Sequence, residues 1–226
     1  MKDSMISILR PALLFTLVCP ALYAASPAAE TVLKRAITYH DPDGRWPTLH
    51  ATFHFDESRP DGRATQSTME LDNARSFMRV DMGGKESYEI TGEACVILSG
   101  DKDEQRGLMI RNYFLYLWGL PMKLLDPGTE FDPIVGSSEI NGFACDVLRV
   151  IYEKDTWYFH LDRESGRMRQ YEFYKDTTQA AGEIITLEGE IVVGTLRIPQ
   201  KRNWYKIPGN EYLGTDILSR IEQLRK

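Results

Sequence analysis

Short runs that alternate apolar and polar residues, separated by tight turns, fill most of the chain from Thr48 onward. This two-residue period constrains the fold more than any other feature. In Thr48–Asp56, Leu49, Ala51, Phe53 and Phe55 fall on one side, and His50, Thr52 and His54 on the other. Alternation of this kind marks a strand with one dry face. Similar runs occupy Thr65–Leu71, Ser76–Met82, Glu86–Thr91, Ala94–Leu98, Phe143–Glu153, Thr156–Asp162, Met168–Lys175, Glu183–Val193 and Thr195–Ile198. Gly83-Gly84 and Arg163-Glu164-Ser165-Gly166 supply turn chemistry between neighbours. Strands so spaced predict antiparallel meanders.

Three segments break the alternation. Ser26 suits a helix N-cap, Pro27 the first helical position and Glu30 the positive end of the helix dipole. Val32, Leu33, Ala36 and Ile37 then share a face, which His40 extends by a turn, and Asp41-Pro42-Asp43-Gly44 ends the helix. Leu108–Leu125 reads as a second helix, kinked at Gly119-Leu120-Pro121. From Thr215, the spacing of Ile217, Leu218, Ile221 and Leu224 predicts a closing amphipathic helix. Gly136-Ser137-Ser138-Glu139 reads as a loop. No linker divides the chain. The expected architecture is a single α+β domain over residues 25–226, a strongly curved antiparallel sheet with helices on its concave side.

Residues 1–24 have the make-up of a cleavable export signal. Lys2 and Arg10 precede the apolar stretch Pro11–Leu22, and small residues follow at Ala24-Ala25-Ser26. The stretch is shorter than the roughly 20 residues a bilayer span needs and fits a signal peptide. Cys19 lies between Val18 and Pro20, whereas a lipoprotein cleavage site wants a small residue before the cysteine. The expected product is exported, periplasmic and soluble, with no integral membrane segment. The formal net charge is −6 and loss of the leader makes it one unit more acidic, which argues against a nucleic-acid partner. Cys95 and Cys145 then remain. They could pair, closing a loop worth up to about 4 kcal/mol on the chain-entropy model, or stay apart as small buried hydrophobes.

The stretch Ala36-Ile37-Thr38-Tyr39-His40-Asp41-Pro42-Asp43-Gly44-Arg45-Trp46 resembles a family of exported bacterial proteins of unknown function with an A-I-x-Y-H-D-P-x-G-x-W opening. The resemblance continues through Tyr113–Leu124, Ile198–Tyr205 and Leu213–Ile217. In layout that family is similar to the periplasmic lipoprotein carrier LolA and the receptor LolB. The resemblance implies an open half-barrel whose concave face is lidded by helices and holds acyl chains.

No motif names a reaction. The sequence lacks a G-x-S-x-G elbow, an HExxH pair, a P-loop and a dinucleotide fingerprint. No cofactor or metal is implied. The chain therefore reads as a binding or carrier protein for an apolar partner, a small molecule, lipid or lipidated protein. Its candidate contacts are Phe53 and Phe55 on the first strand, and Met109, Tyr113, Phe114, Leu117, Trp118 and Met122 on the central helix. A helix apolar nearly all round must be buried or must cover something apolar; flexible methionine and flat rings suit varied acyl chains. Two alternatives stand beside this reading. One is a hydrolase or metal-assisted enzyme centred on Tyr39, His40 and Asp41, since a histidine beside a carboxylate can serve as base or ligand. The other is an envelope interaction module that docks a partner along an exposed sheet edge or the last helix.

Overall fold

The alternating runs form strands, and the computed structural model joins them in one sheet. It describes residues 27–178 and 180–224, so the leader at 1–24 and the cap at Ser26 lie outside the described residues. Helix α1 (Pro27–His40) comes first. Five strands follow: β1 (His50–Ser58), β2 (Ala64–Asp72), β3 (Phe77–Asp81), β4 (Ser87–Thr91) and β5 (Ala94–Ser99). Helix α2 (Glu104–Gly119) separates them from β6 (Gly136–Ile140), β7 (Phe143–Ile151), β8 (Thr156–Asp162), β9 (Met168–Asp176), β10 (Ala181–Val193), β11 (Leu196–Ile207) and β12 (Glu211–Gln223). The spatial order is β5-β4-β3-β2-β1-β12-β11-β10-β9-β8-β7-β6, antiparallel at every step, with β5 and β6 as free edges. The sheet is open.

Three segments depart from the sequence reading. Gly136–Ile140 is an edge strand rather than a loop, and β11 runs nine residues beyond Ile198. The third departure is topological: the segment expected to be a closing helix is β12, which lies between β1 and β11 and joins the two halves of the sheet. Its apolar spacing of three, Leu218 to Ile221, looks helical because Ser219 is a bulge. Phe55 pairs with Leu218 while His54 pairs with Arg220. The extra residue lets Leu218 and Ile221 reach the same face as Phe55 and Phe53.

That face is the core. Across the sheet, Phe53 sits between Met69 and Ile221, Ile185 between Trp204 and Tyr171, and Phe159 between Tyr171 and Leu148. Phe53, Phe159, Tyr171 and Ile185 are fully buried. Each such side chain is worth roughly 1.5–3 kcal/mol in apolar burial.

Both helices pack on this face. Ala29, Val32, Leu33 and Ala36 repeat at helical spacing and set α1 against Leu148, Phe159, Leu161 and Tyr171. In α2, Ile110, Phe114 and Trp118 point toward the β1–β4 half, and Leu117 toward the β7–β11 half. Asp103 caps α2 by accepting from the Arg106 amide at 2.9 Å. Gly107 lets the first turn lie against β4 and β5, since a Cβ there would stand 2.5 Å from Cys95 Sγ and 2.6 Å from Tyr88 Cδ1. The helix ends at Gly119 rather than kinking. Leu120 is already extended at ψ 140°, as expected of a residue before proline, and a 3₁₀ turn follows at Met122–Leu125.

Candidate functional site

The Tyr39-His40-Asp41 cluster is committed to structure. The His40 Nδ1–H donates to the Arg197 carbonyl at 2.8 Å, and Nε2 accepts from the Met168 amide at 3.0 Å. These bonds fix a neutral tautomer that ties α1 to β9 and β11. Burial lowers the His40 pKa from 6.5 to about 4. The Asp41 carboxylate accepts from the amides of Arg45 (2.7 Å) and Trp46 (2.9 Å), closing the turn after α1. The Tyr39 hydroxyl donates to Glu190 at 2.9 Å. The arrangement needed for an enzyme centred on His40, a ring nitrogen free in a cleft, is not what the structure has. Among the described residues no group of three or more His, Cys, Asp and Glu side chains is placed to hold a metal ion.

The cysteine pairing is not formed. Cys95 and Cys145 are free thiols, on edge strand β5 and on β7 one strand in from the opposite edge. Burial raises the pKa of both, which makes them poorer nucleophiles.

A different polar constellation is brought together on the outer face of the sheet. Ser138 Oγ lies 2.8 Å from His160 Nδ1, and His160 Nε2 lies 3.4 Å from Glu172 Oε1. It spans β6, β8 and β9 in regular strands, and no spacing in the sequence links residues so far apart. It reads as a polar ladder across the edge of the sheet, of the kind that sets register.

Most of the expected apolar contacts are core. Phe53, Phe55, Phe114, Trp118 and Met122 are buried in one cluster, with Phe55 4.7 Å from Trp118 and 5.0 Å from Phe114 between ring centroids. They fill the interior between α2 and the β1–β4 half of the sheet; a second cleft on that side is lined instead by Trp46, Leu71, Met78, Arg111 and Leu115. Met109 is exposed on the far side of the helix. Leu117 and Tyr113 differ, because they line an open groove between α2 and the β7–β11 half.

This groove has a volume of about 580 Å³, within the range of small-molecule sites. Asn112, Tyr113, Tyr116 and Leu117 form its helical wall. Trp157 of β8, Phe173 of β9, Glu183 of β10 and Trp204 of β11 form its floor, and Tyr152 and Asp155 close one end. The rings pack on one another: Trp157 is 4.7 Å from Phe173 and 5.3 Å from Tyr116, and Tyr113 is stacked 6.1 Å from Trp204.

Their polar tips are satisfied within the protein. Trp157 Nε1 donates to Asp155 at 2.8 Å, Trp204 Nε1 to Asp216 at 2.7 Å and the Tyr113 hydroxyl to Asp216 at 3.3 Å. The Tyr116 and Tyr152 hydroxyls share a 2.9 Å bond. Burial, chiefly, raises the pKa of Tyr113 and Tyr116, so both stay neutral. With the tips held, the rings turn fixed apolar surface to the groove. Burial also raises the pKa of Glu183.

Sequence reasoning found two of these residues and missed Asn112, Tyr116, Tyr152, Asp155, Trp157, Phe173, Glu183 and Trp204. One signal was present: Trp157/Phe159 and Tyr171/Phe173 are i, i+2 aromatic pairs on successive strands. An aromatic stripe wider than a helix footprint leaves rings without a partner.

Comparison with known proteins agrees with this architecture. No curated protein matches the sequence. Among solved structures, the LolA superfamily protein NE2245 from Nitrosomonas europaea is similar in fold, at 10% identity over 88% of this chain and 94% of that one, with a TM-score of 0.57. A domain from Vibrio parahaemolyticus described as an outer membrane lipoprotein-sorting protein aligns at 12% identity over 88% and 95%, with a TM-score of 0.53. A DUF1329 family protein from Desulfovibrio piger aligns at 7% identity over 88% and 94%, with a TM-score of 0.50. At these identities the likeness is one of fold. Residues 12–223 match the model of a family of unknown function, DUF6503, and the chain belongs to that family.

Proposed function

We propose that this protein is an exported, periplasmic binding or carrier protein for an apolar ligand, a lipid or the lipid moiety of a protein. The observation that carries the reading is the groove beside α2: about 580 Å³, floored by Trp157, Phe173 and Trp204 and walled by Tyr113, Tyr116 and Leu117. An unfilled aromatic surface on a sheet's inner face has a transfer free energy to recover, and an acyl chain recovers it. The helices act as cover on the concave side, with α2 the wall that sets the width of the groove. The export signal read in residues 1–24 and the LolA-like fold support the compartment. Among the described residues no helix is long and apolar enough to cross a membrane.

The test is native mass spectrometry of the protein purified from the periplasm without detergent. A co-purifying mass that organic solvent extracts as lipid supports the carrier. A bare polypeptide mass, unchanged after incubation with mixed lipids, refutes it.

A second reading, an interaction module, is favoured by the free edge at β5, where Val96, Ile97 and Leu98 are exposed. An edge strand with apolar side chains invites a further strand. Substituting Val96→Lys would then abolish capture of a partner while leaving lipid binding untouched.

A further inference from the structure

We propose that the ligand of this groove carries a positively charged ammonium head beside its apolar chain. The inference rests on the carrier reading and specifies it. Among the described residues that line the groove, the only charged side chains are Glu183 and Asp155; no Lys, Arg or His faces it. The sign is therefore uniformly negative. An anionic head group would meet two carboxylates in a partly dried site, whereas an ammonium would be attracted by both.

The aromatic lining favours the same sign. Trp157, Phe173, Trp204 and Tyr116 offer ring faces, whose quadrupole is negative, and the electropositive indole N–H edges are turned away to Asp155 and Asp216. Ring faces beside a carboxylate are the arrangement that holds amines and quaternary ammonium groups.

The two acids differ in how free they are. Asp155 is already bonded to Trp157 Nε1, so it acts as a fixed negative end. Glu183 sits on the floor; in register it faces Phe173 of β9 and exposed Lys206 of β11, and exposed Lys175 also acts on it electrostatically. Desolvation makes its charge costly, and a bound ammonium relieves that cost. Glu183 is accordingly the residue that chooses the head group, while the rings hold the chain.

The experiment titrates the full chain with three single-chain probes of equal length, each below its micelle concentration: dodecyltrimethylammonium, dodecyl sulfate and an uncharged dodecyl glucoside. Tryptophan fluorescence reports occupancy, since Trp157 and Trp204 form the floor. The trimethylammonium probe should bind about ten-fold tighter than the glucoside, and the sulfate most weakly. Glu183→Gln should erase most of that advantage, bringing the trimethylammonium affinity close to the glucoside affinity measured on the same variant. Asp155→Asn keeps the Oδ1 acceptor for Trp157 and should lower the advantage by a smaller factor. Equal binding of all three probes, or tighter binding of the sulfate, overturns the charge preference and leaves the carrier reading standing. Binding of none overturns both.

Discussion

The Arg202 guanidinium lies 3.5 Å from the ring centroid of Trp118, and its two terminal nitrogens donate to the carbonyls of Pro199 (2.9 Å) and Leu117 (3.0 Å). A fully buried cation on β11 is thereby bonded to the last turn of α2, at the negative end of the helix dipole. The same contact sets where α2 stands over the sheet, and so the width of the groove beside it.

Removing that cation should loosen the helix end. Arg202→Met keeps the unbranched apolar stem but removes the guanidinium donors of two buried carbonyls, which costs about 2–4 kcal/mol. Arg202→Lys should recover only part, because an ammonium has no planar face to stack on Trp118 and no fork for two carbonyls. Urea unfolding of the two variants measures both effects, and a Met variant as stable as the parent refutes the role.

His40 makes stability depend on pH with a definite sign. Its folded pKa, about 4, lies below its unfolded value of 6.5. The unfolded chain therefore binds a proton first as pH falls. The contribution is complete above pH 6.5 and is lost as pH drops from 6.5 to 4, on the order of 3 kcal/mol in all. A His40→Gln variant should be less stable than the parent at pH 7.5 and should lose less stability over that window. Parallel pH profiles for the two proteins would contradict this account.

Asn112 stands exposed at the mouth of the groove. Asn112→Trp should obstruct it without touching the core, weakening ligand binding by about ten-fold while shifting stability by no more than about 0.5 kcal/mol. Unchanged binding of a dodecyl probe by this variant would place the ligand elsewhere.

The bulge at Ser219 leads to an unusual expectation for a central strand. Deleting Ser219 leaves Leu218 opposite Phe55, Arg220 opposite His54 and Ile221 opposite Phe53, the pairing that already exists. The deletion should fold to the same sheet, losing the local twist and the Ser219 hydroxyl bond to the His54 carbonyl, at a cost of about 1–2 kcal/mol. An amide spectrum with shifts scattered across β1 and β12, rather than confined to the bulge, would show that register depends on it.

That residue also explains what the sequence concealed. Uninterrupted alternation made β1 legible, and with it the dry face of Phe53 and Phe55, because one residue in two must turn inward on a half-buried strand. At β12 the period was broken by a single extra residue, and a spacing of three is what a helix produces. The groove was hidden for another reason. Tyr113 and Leu117 announce themselves on an apolar helix, but whether Trp157, Phe173 and Trp204 are core or lining depends on which rings α2 reaches. Phe114 and Trp118 pack into the β1–β4 half of the face, and only the three-dimensional position of α2 reveals the aromatic groove on the other half. His40 and Asp41 are reactive residue types whose hydrogen bonds all go to backbone partners, which the sequence does not reveal.

The position of β12 has a consequence for how the protein comes into being. Strand β1 is paired only with β2, and β11 only with β10, until residues 211–223 slot between them. Each half of the sheet keeps an open edge until β12 is in place. Two separately paired meanders thus become one continuous sheet through a single docking event, that of β12 between β1 and β11.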